Sequence, residues 1–323
     1  MGMSDQPFAL LLAGPTASGK SALALALAER LGGTVINADS MQVYDGLRVL
    51  TARPSEEEEG RVPHRLYGVH PPDRAASVAW WRGRALEEMA AARLPILCGG
   101  TGLYFRALTE GLSEIPAVPP EAREEARGLL AAEGPAALHV RLTQADPETA
   151  ARLRPSDSQR LARAWEVWRG TGRGLASWQR EEGTGPARRN GVPWRFAAIR
   201  LDPPRDALRA AIGARWQAMI DAGAVEEVRA LVARGLDPAL PAMRAHGVPE
   251  ISAVLRGEIP IEEAGRRACL AIGQYTKRQA TWFRHHPLAD VSHTHTIHAR
   301  VAGLEQFSES EQSQIFTFID CCR

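Results

Sequence analysis

Lysine is almost absent from this chain. Of its 39 basic residues only Lys20 and Lys277 are lysines, and the rest are arginines. Such a bias leaves a compact ammonium only where a broad guanidinium serves poorly, which makes both positions worth following. Cysteine is scarce as well. Cys98, Cys269, Cys321 and Cys322 form no CxxC pair and no disulfide framework, so a small cross-linked scaffold is excluded and a reduced, cytoplasmic setting is expected. No run of eighteen apolar residues occurs, which leaves no candidate for a spanning helix and no expected membrane partner. The opening segment MGMSDQPFALLLAG lacks a basic n-region and leads straight into a glycine-rich loop, so it reads as a first strand and not as a signal peptide. Internal repeats are missing, and nothing resembles a dimer seam; a monomer is expected.

What remains is an ordinary globular composition. The chain has 323 residues, 45% hydrophobic and 24% charged, with a net charge of +1. Up to about residue 115, strand and helix alternate: FALLLAG (8–14), SALALALAERLG (21–32), TVINAD (34–39), SVAWWRGRALEEMAAAR (77–93) and LPILCGG (94–100). This pattern predicts a parallel sheet with helices on both faces and ligands at the strands' carboxyl ends. IPAVPP then breaks the pattern, and an all-helical insertion is expected over 116–193. Its helices are a first one ending at Gly134 and a second over 157–172, capped by Asp157 or Ser158 and stopped by Gly170. A Gly/Pro/Arg loop is expected over 183–193. WRFAAIRLD (194–202) returns as a strand, followed by helices over 205–223, 225–235 and 261–286. The core is thus expected to comprise 1–115 and 194–290. Residues 291–323 read as a loosely ordered tail, in which His293, His295 and His298 lack the carboxylate or cysteine partners of a metal site.

One motif carries chemistry by itself. GPTASGKS, from Gly14 through Pro15, Thr16, Ala17, Ser18, Gly19 and Lys20 to Ser21, fits G-x-x-x-x-G-K-[ST] with a strand before it and a helix after it. Backbone N–H groups and the helix N-terminus surround phosphate oxygens, Lys20 adds charge, and the Ser21 hydroxyl can reach Mg²⁺, directly or through water. A nucleoside triphosphate is the commonest ligand of such a loop, and a nucleotide or small-metabolite kinase the first reading. Asp39, at the end of the second strand, fits either a metal ligand or a general base. A second signal is basic. Between 152 and 195 ten arginines face four acidic residues, a local excess of +6 suited to a phosphate backbone. Trp165, Trp168 and Trp178 interleave there, although the helical spacing of the first two favours a core role.

Seven segments in order resemble the tRNA dimethylallyltransferases, also called tRNA isopentenyltransferases. They are GPTASGKS (14–21), INADSMQVYDGL (36–47), TARP (51–54), PHRL (63–66), GGTGLYFRAL (99–108), SDSQRLARAWEV (156–167) and TKRQATWFR (276–284). The resemblance implies transfer of a dimethylallyl group from dimethylallyl diphosphate to the N6 amine of adenosine 37, beside the anticodon of a tRNA stem-loop, with Mg²⁺ as cofactor. It implies that the loop holds the diphosphate that leaves, that Asp39 is the base, that Thr101 hydrogen-bonds the reacting adenosine or a phosphate, and that Thr16 lines the same channel. Arg215 would reach the diphosphate. Ser40, Met41, Gln42, Arg123, Gln159, Arg160, Leu161, Ala162, Arg163, Arg244, Lys277, Arg278 and Gln279 match the family's tRNA-facing positions, beside Asp39 and Thr101. Two departures stand out. Arg244-Ala-His-Gly-Val-Pro249 lacks the family's tyrosine and final basic residue, and VLTARP (49–54) carries Leu50 where glycine is usual; neither is expected to touch the chemistry. The Arg-rich insertion favours this reading over a kinase, and the intact Lys20, Ser21 and Asp39 argue against a decayed, non-enzymatic RNA-binding protein.

Overall fold

The computed structural model describes residues 6–113, 115–180 and 194–323; the loop expected over 183–193 lies outside the described residues. The chain divides into two compact units, Met1–Thr109 with Pro186–Arg323, and Glu110–Gly185.

The first unit is built on six strands: β1 (Phe8–Ala13), β2 (Thr34–Asn37), β3 (His64–Arg65), β4 (Pro95–Gly99), β5 (Arg195–Leu201) and β6 (Thr294–Ile297). They run parallel in the order β3-β2-β4-β1-β5-β6. β1 is central, with Leu10 opposite Ile96 on one side and Ala197 on the other. Its unbroken apolar run suits a strand buried on both faces. Ala9, Leu11 and Ala13 face one core, Leu10 and Leu12 the other. The first core is closed by α3 (Val78–Ala91), α4 (Gly102–Thr109), α9 (Arg205–Asp221), α10 (Ala224–Val232), α11 (Val248–Leu255) and α12 (Ile261–His285). The second is closed by α1 (Lys20–Leu31) and α13 (Glu309–Cys322). A short α2 (Glu56–Arg61) is held by a capping box between Ser55 and Glu58.

The segment read as a loose tail has regular structure. β6 pairs with β5 from Ala198↔Thr294 to Leu201↔Ile297, and α13 buries Ile315, Ile319 and Cys322. Its capping box joins Ser308 and Glu311. THTI escapes a hydrophobicity reading because an edge strand needs only part of its surface buried. His295 packs its ring 5.5 Å from that of Phe318.

The second unit contains α5 (Pro120–Ala145), α6 (Pro147–Ala150), α7 (Ser158–Thr171) and α8 (Leu175–Arg180). Gly134 breaks α5 with φ 78°, where the sequence ends a helix, but Pro135 starts a new turn at once. The side chain of Asp157 caps α7, which ends at Gly172 and not at Gly170. Gly170 stays helical and packs closely: a Cβ there would come within 2.9 Å of Val118. Trp165 is buried beside Leu138, Leu142 and Leu161, and its ring lies 5.1 Å from Trp168, so packing outweighs base stacking for Trp165. The apparent basic excess also dissolves at the scale of the unit. Glu110–Gly185 holds ten arginines against twelve acidic residues. Arg169 pairs with Glu125, and Arg152 and Arg180 with Glu148, carboxylates outside the window that gave +6.

Candidate active site

The phosphate loop turns between β1 and α1. Ala17 (φ 65°) and Gly19 (φ 89°) both adopt left-handed backbone, which bends the chain around the loop's interior. Gly19 caps α1 without a side chain, so the N–H groups of Lys20, Ser21 and Ala22 have no helical acceptor behind them. Lys20 is buried, and its Nζ donates to the Pro15 carbonyl at 3.3 Å. Burial lowers its pKa, while Cys98 and Asp39 pull it back up and Arg215 lowers it further. The Ser18 hydroxyl is buried without a hydrogen-bond partner among the described residues.

Asp39 stands one residue beyond Ala38, at the carboxyl end of β2. Asn37 fixes its backbone from both sides: Oδ1 accepts from Asp39 N at 2.8 Å, and Nδ2 donates to Asp39 O at 3.0 Å. The Asp39 Oδ1 accepts from Met41 N at 2.9 Å, and Oδ2 has no partner among the described residues. Thr101 comes to the same place from β4, because Asn37 and Cys98 are in register. Its N–H donates to Ala38 O at 3.2 Å, and its Oγ1 accepts from Ser40 N at 2.9 Å.

Thr16, Lys20, Ser21, Asp39 and Arg215 line one pocket of about 80 Å³ together with the apolar Leu50, Ile212, Trp216, Met219 and Ile272. Arg215 Nη2 donates to Thr51 O at 3.2 Å, and burial lowers its pKa against the raising influence of Asp39. Tyr275 and His246 complete the lining. Burial pushes the Tyr275 phenol up to about 12, with Asp39 adding to the rise and a hydrogen bond to Thr101 opposing it. Burial likewise lowers the His246 pKa, which keeps that imidazole neutral near pH 7. Tyr275, His246, Trp216 and Met219 were invisible to the sequence reading, since single residues inside helices and loops carry no local pattern. Leu50, visible in the sequence as a departure, lines the same pocket.

The proposed RNA-facing residues divide. Lys277 and Arg278 are exposed on α12 beside Trp282, His285 and His286, around an open hollow of about 520 Å³. Among the described residues neither has an ion-pair partner; Arg278 lies 5.6 Å over the Tyr275 ring. Arg244, Arg123, Gln159, Arg160 and Arg163 are exposed, and Ser40, Met41 and Ala162 half-buried. Gln279 is different. It is 4% exposed, its Oε1 accepts from Thr16 N at 2.9 Å and Thr16 Oγ1 at 3.2 Å, and its Nε2 donates to Gly100 O at 2.9 Å. Both acceptor sites of that amide and one of its two N–H donors are used inside the protein, so Gln279 holds the phosphate loop. Leu161 is fully buried in the core of its unit, so its side chain packs inside and not on the surface. Gln42 donates to Thr51 O and Ala52 O, both at 2.9 Å, and so shapes its own turn.

Fold and pocket define a P-loop α/β protein whose pocket is lined by both cationic and apolar side chains. The family described as "IPP transferase" matches residues 42–286, and that described as "Isopentenyl transferase" matches residues 8–69. The chain belongs to the IPP transferase family. It is 60% identical over 316 residues to a protein of Granulibacter bethesdensis named tRNA dimethylallyltransferase, covering 96% of this chain and 97% of that one. A like-named protein of Acidiphilium cryptum is 58% identical over 96% of this chain and 94% of its own length. Among solved structures, the tRNA isopentenylpyrophosphate transferase of Bacillus halodurans matches with a TM-score of 0.66 and 29% identity, over 98% of this chain and 96% of that one. A eukaryotic dimethylallyltransferase acting on tRNA shares the fold with a TM-score of 0.80 at 21% identity, over 98% of this chain and 80% of its own.

Proposed function

We propose that this chain is a tRNA dimethylallyltransferase that moves the five-carbon group of dimethylallyl diphosphate onto the N6 amine of adenosine 37 in a tRNA anticodon stem-loop. The observation that carries the reading is the pocket's mixed lining: Thr16, Ser21, Lys20 and Arg215, the carboxylate of Asp39, and the apolar Leu50, Ile212, Trp216, Met219 and Ile272. A kinase pocket has no need of that apolar lining, and the family relationship points the same way. The diphosphate sits in the loop, where N–H donors and Lys20 stabilise the negative charge that grows as the allylic C–O bond breaks. The prenyl group lies among Leu50, Trp216 and Met219, which exclude water from a carbon that becomes cation-like. The adenine leaves its stack to enter. Its amine is a weak nucleophile, because the lone pair is delocalised into the ring. Asp39 accepts the amine proton as the C–N bond forms. Thr101, held by Ser40 and Tyr275, orients that amine.

Among the described residues there is no group of three or more His, Cys, Asp or Glu side chains that forms a metal cage. Mg²⁺ fits without one, since it keeps several waters and binds through few protein oxygens plus substrate phosphates. The Ser21 hydroxyl, exposed at the start of α1, would hold it there. A bound Mg²⁺ would supply charge to the departing diphosphate. Among the described residues no helix is long and apolar enough to cross a membrane. A cytoplasmic monomer fits the free cysteines and the tRNA substrate.

The test is incubation of unmodified tRNA with labelled dimethylallyl diphosphate and, separately, with labelled ATP. Label is expected in N6-prenylated adenosine from the first and nowhere from the second. ATP label in a small acceptor, with none in tRNA from the prenyl donor, overturns the reading.

A further inference from the structure

The segment after β6 runs across the outside of the phosphate loop. Val301 N donates to Ser18 O at 2.9 Å, and the Val301 carbonyl lies so close to Gly19 that a Cβ there would come within 1.6 Å of its oxygen. Gln306 secures this crossing: its Oε1 accepts from Ala302 N at 2.6 Å and its Nε2 donates to Arg300 O at 3.0 Å. The crossing delivers one charged side chain. Arg300 Nε donates to Ala17 O at 3.1 Å, so the guanidinium is tied to the loop's backbone by one edge only. Its two Nη groups have no hydrogen-bond or ion-pair partner among the described residues, and the residue is exposed. Like-charge repulsion between Arg300 and Arg215 contributes to the lowered pKa of Arg215, which places both guanidinium groups in one field.

Three cations, Lys20, Arg215 and Arg300, thus surround the loop, and Asp39 is the acidic group whose charge acts on Lys20 and Arg215. A cationic cluster with so little acid nearby favours an anion. A guanidinium anchored through Nε presents its remaining fork to a phosphate's oxygens, the geometry in which arginine binds most strongly. We infer that Arg300 is a third diphosphate-binding residue, which grips the leaving group from outside the loop. The sequence motif ends at Ser21 and contains no hint of it. This proposal rests on the donor reading above, in which the loop holds a diphosphate.

The test uses the full-length protein and inorganic diphosphate with Mg²⁺, measured by calorimetry without tRNA. R300A is expected to weaken diphosphate binding tenfold or more, in the range of a lost charge-assisted hydrogen bond. R300K keeps the charge but loses the fork, and its affinity is expected to fall between those of wild type and R300A. Binding by R300A within twofold of wild type overturns the proposal. So does an R300A variant whose melting temperature falls along with its affinity, because the loss then reflects docking of the segment and not the guanidinium. Wild-type protein that binds no diphosphate, while K20A behaves identically, refutes the donor reading itself and is thereby distinguished from failure of Arg300 alone.

Discussion

Gln279 and Thr16, 263 residues apart in the chain, are joined by two hydrogen bonds of 2.9 and 3.2 Å to one side-chain oxygen. The same amide reaches Gly100 O, so α12, the phosphate loop and the end of β4 are fixed to one another at a single buried point. Replacing Gln279 by alanine leaves Gly100 O and Thr16 N unsatisfied, at a cost of about 1–3 kcal/mol per buried group. Q279A is therefore expected to unfold at lower denaturant concentration and to bind diphosphate more weakly. A variant with normal stability and impaired tRNA binding alone would return Gln279 to the RNA-contact role.

Asp39 has a separate signature. D39N keeps an oxygen to accept from Met41 N but no longer takes a proton. Its kcat is expected to fall about 10²-fold or more, with tRNA affinity nearly unchanged. Single-turnover kinetics with saturating donor, beside a tRNA-binding titration, reads both quantities. Unchanged turnover removes Asp39 as the base.

Leu50 and Met219 line a pocket of only about 80 Å³. Trimming Leu50 to glycine is expected to shift the ratio of kcat/KM for ten-carbon over five-carbon allylic diphosphate by about tenfold or more. A methylene in a hydrophobic pocket is worth about 1–3 kcal/mol, and the longer donor brings several. Competition between the two donors, followed by nucleoside analysis of the tRNA, measures the ratio directly. An unchanged ratio places the length limit elsewhere.

His246 links pH to stability. Burial lowers its pKa below 6.5, so the native protein binds fewer protons there than the unfolded chain. Stability from this group is present above the unfolded value and is lost as pH falls through the folded one. Wild type is expected to lose stability below about pH 6.5 more steeply than H246Q. Denaturant melts of the two proteins between pH 5 and 8 compare the slopes (about one proton at most is involved). Parallel curves would show that other groups carry the acid sensitivity.

Arg160 projects from α7 with a side chain 74% exposed and lies 3.5 Å from Asp157. Such an exposed pair stabilises the fold by about 0–1 kcal/mol, so R160A is expected to leave the melting temperature nearly unchanged. If Arg160 contacts a tRNA phosphate, the variant binds tRNA more weakly and the log–log salt slope falls by about one. An unaltered slope separates Arg160 from the RNA surface.

The residues themselves explain what the sequence disclosed. β1, β2, β4 and β5 were legible because strands buried on both faces must be apolar throughout, as ALLLA and AAI are. The phosphate loop was legible because its chemistry is local. β6 was not: THTI sits at an edge, where one neighbour and a partial core suffice. The charge of the helical unit was misjudged because the counted window held arginines and omitted Glu125 and Glu148, their partners in space. Gln279 and Leu161 share motifs with exposed positions, and burial is a property that position in a motif does not report. Tyr275, His246 and Trp216 meet Asp39 only through packing of α9, α11 and α12, for which no short pattern exists.

β5 and β6 are neighbours in the sheet, yet the chain leaves one and returns by the other only after an excursion over about ninety residues. Arg215, Trp216, Met219, His246, Tyr275 and Gln279 all lie on that one excursion, while the phosphate loop, Asp39 and Thr101 come from strands before it. Much of the pocket's wall, Leu50 excepted, and the loop with Asp39 and Thr101 are thus separate stretches of a gene. Recombination with junctions near Asp202 and Thr294 would exchange Arg215, Trp216, Met219, His246, Tyr275 and Gln279 together as a cassette, while the loop, Asp39 and Thr101 stay as they are.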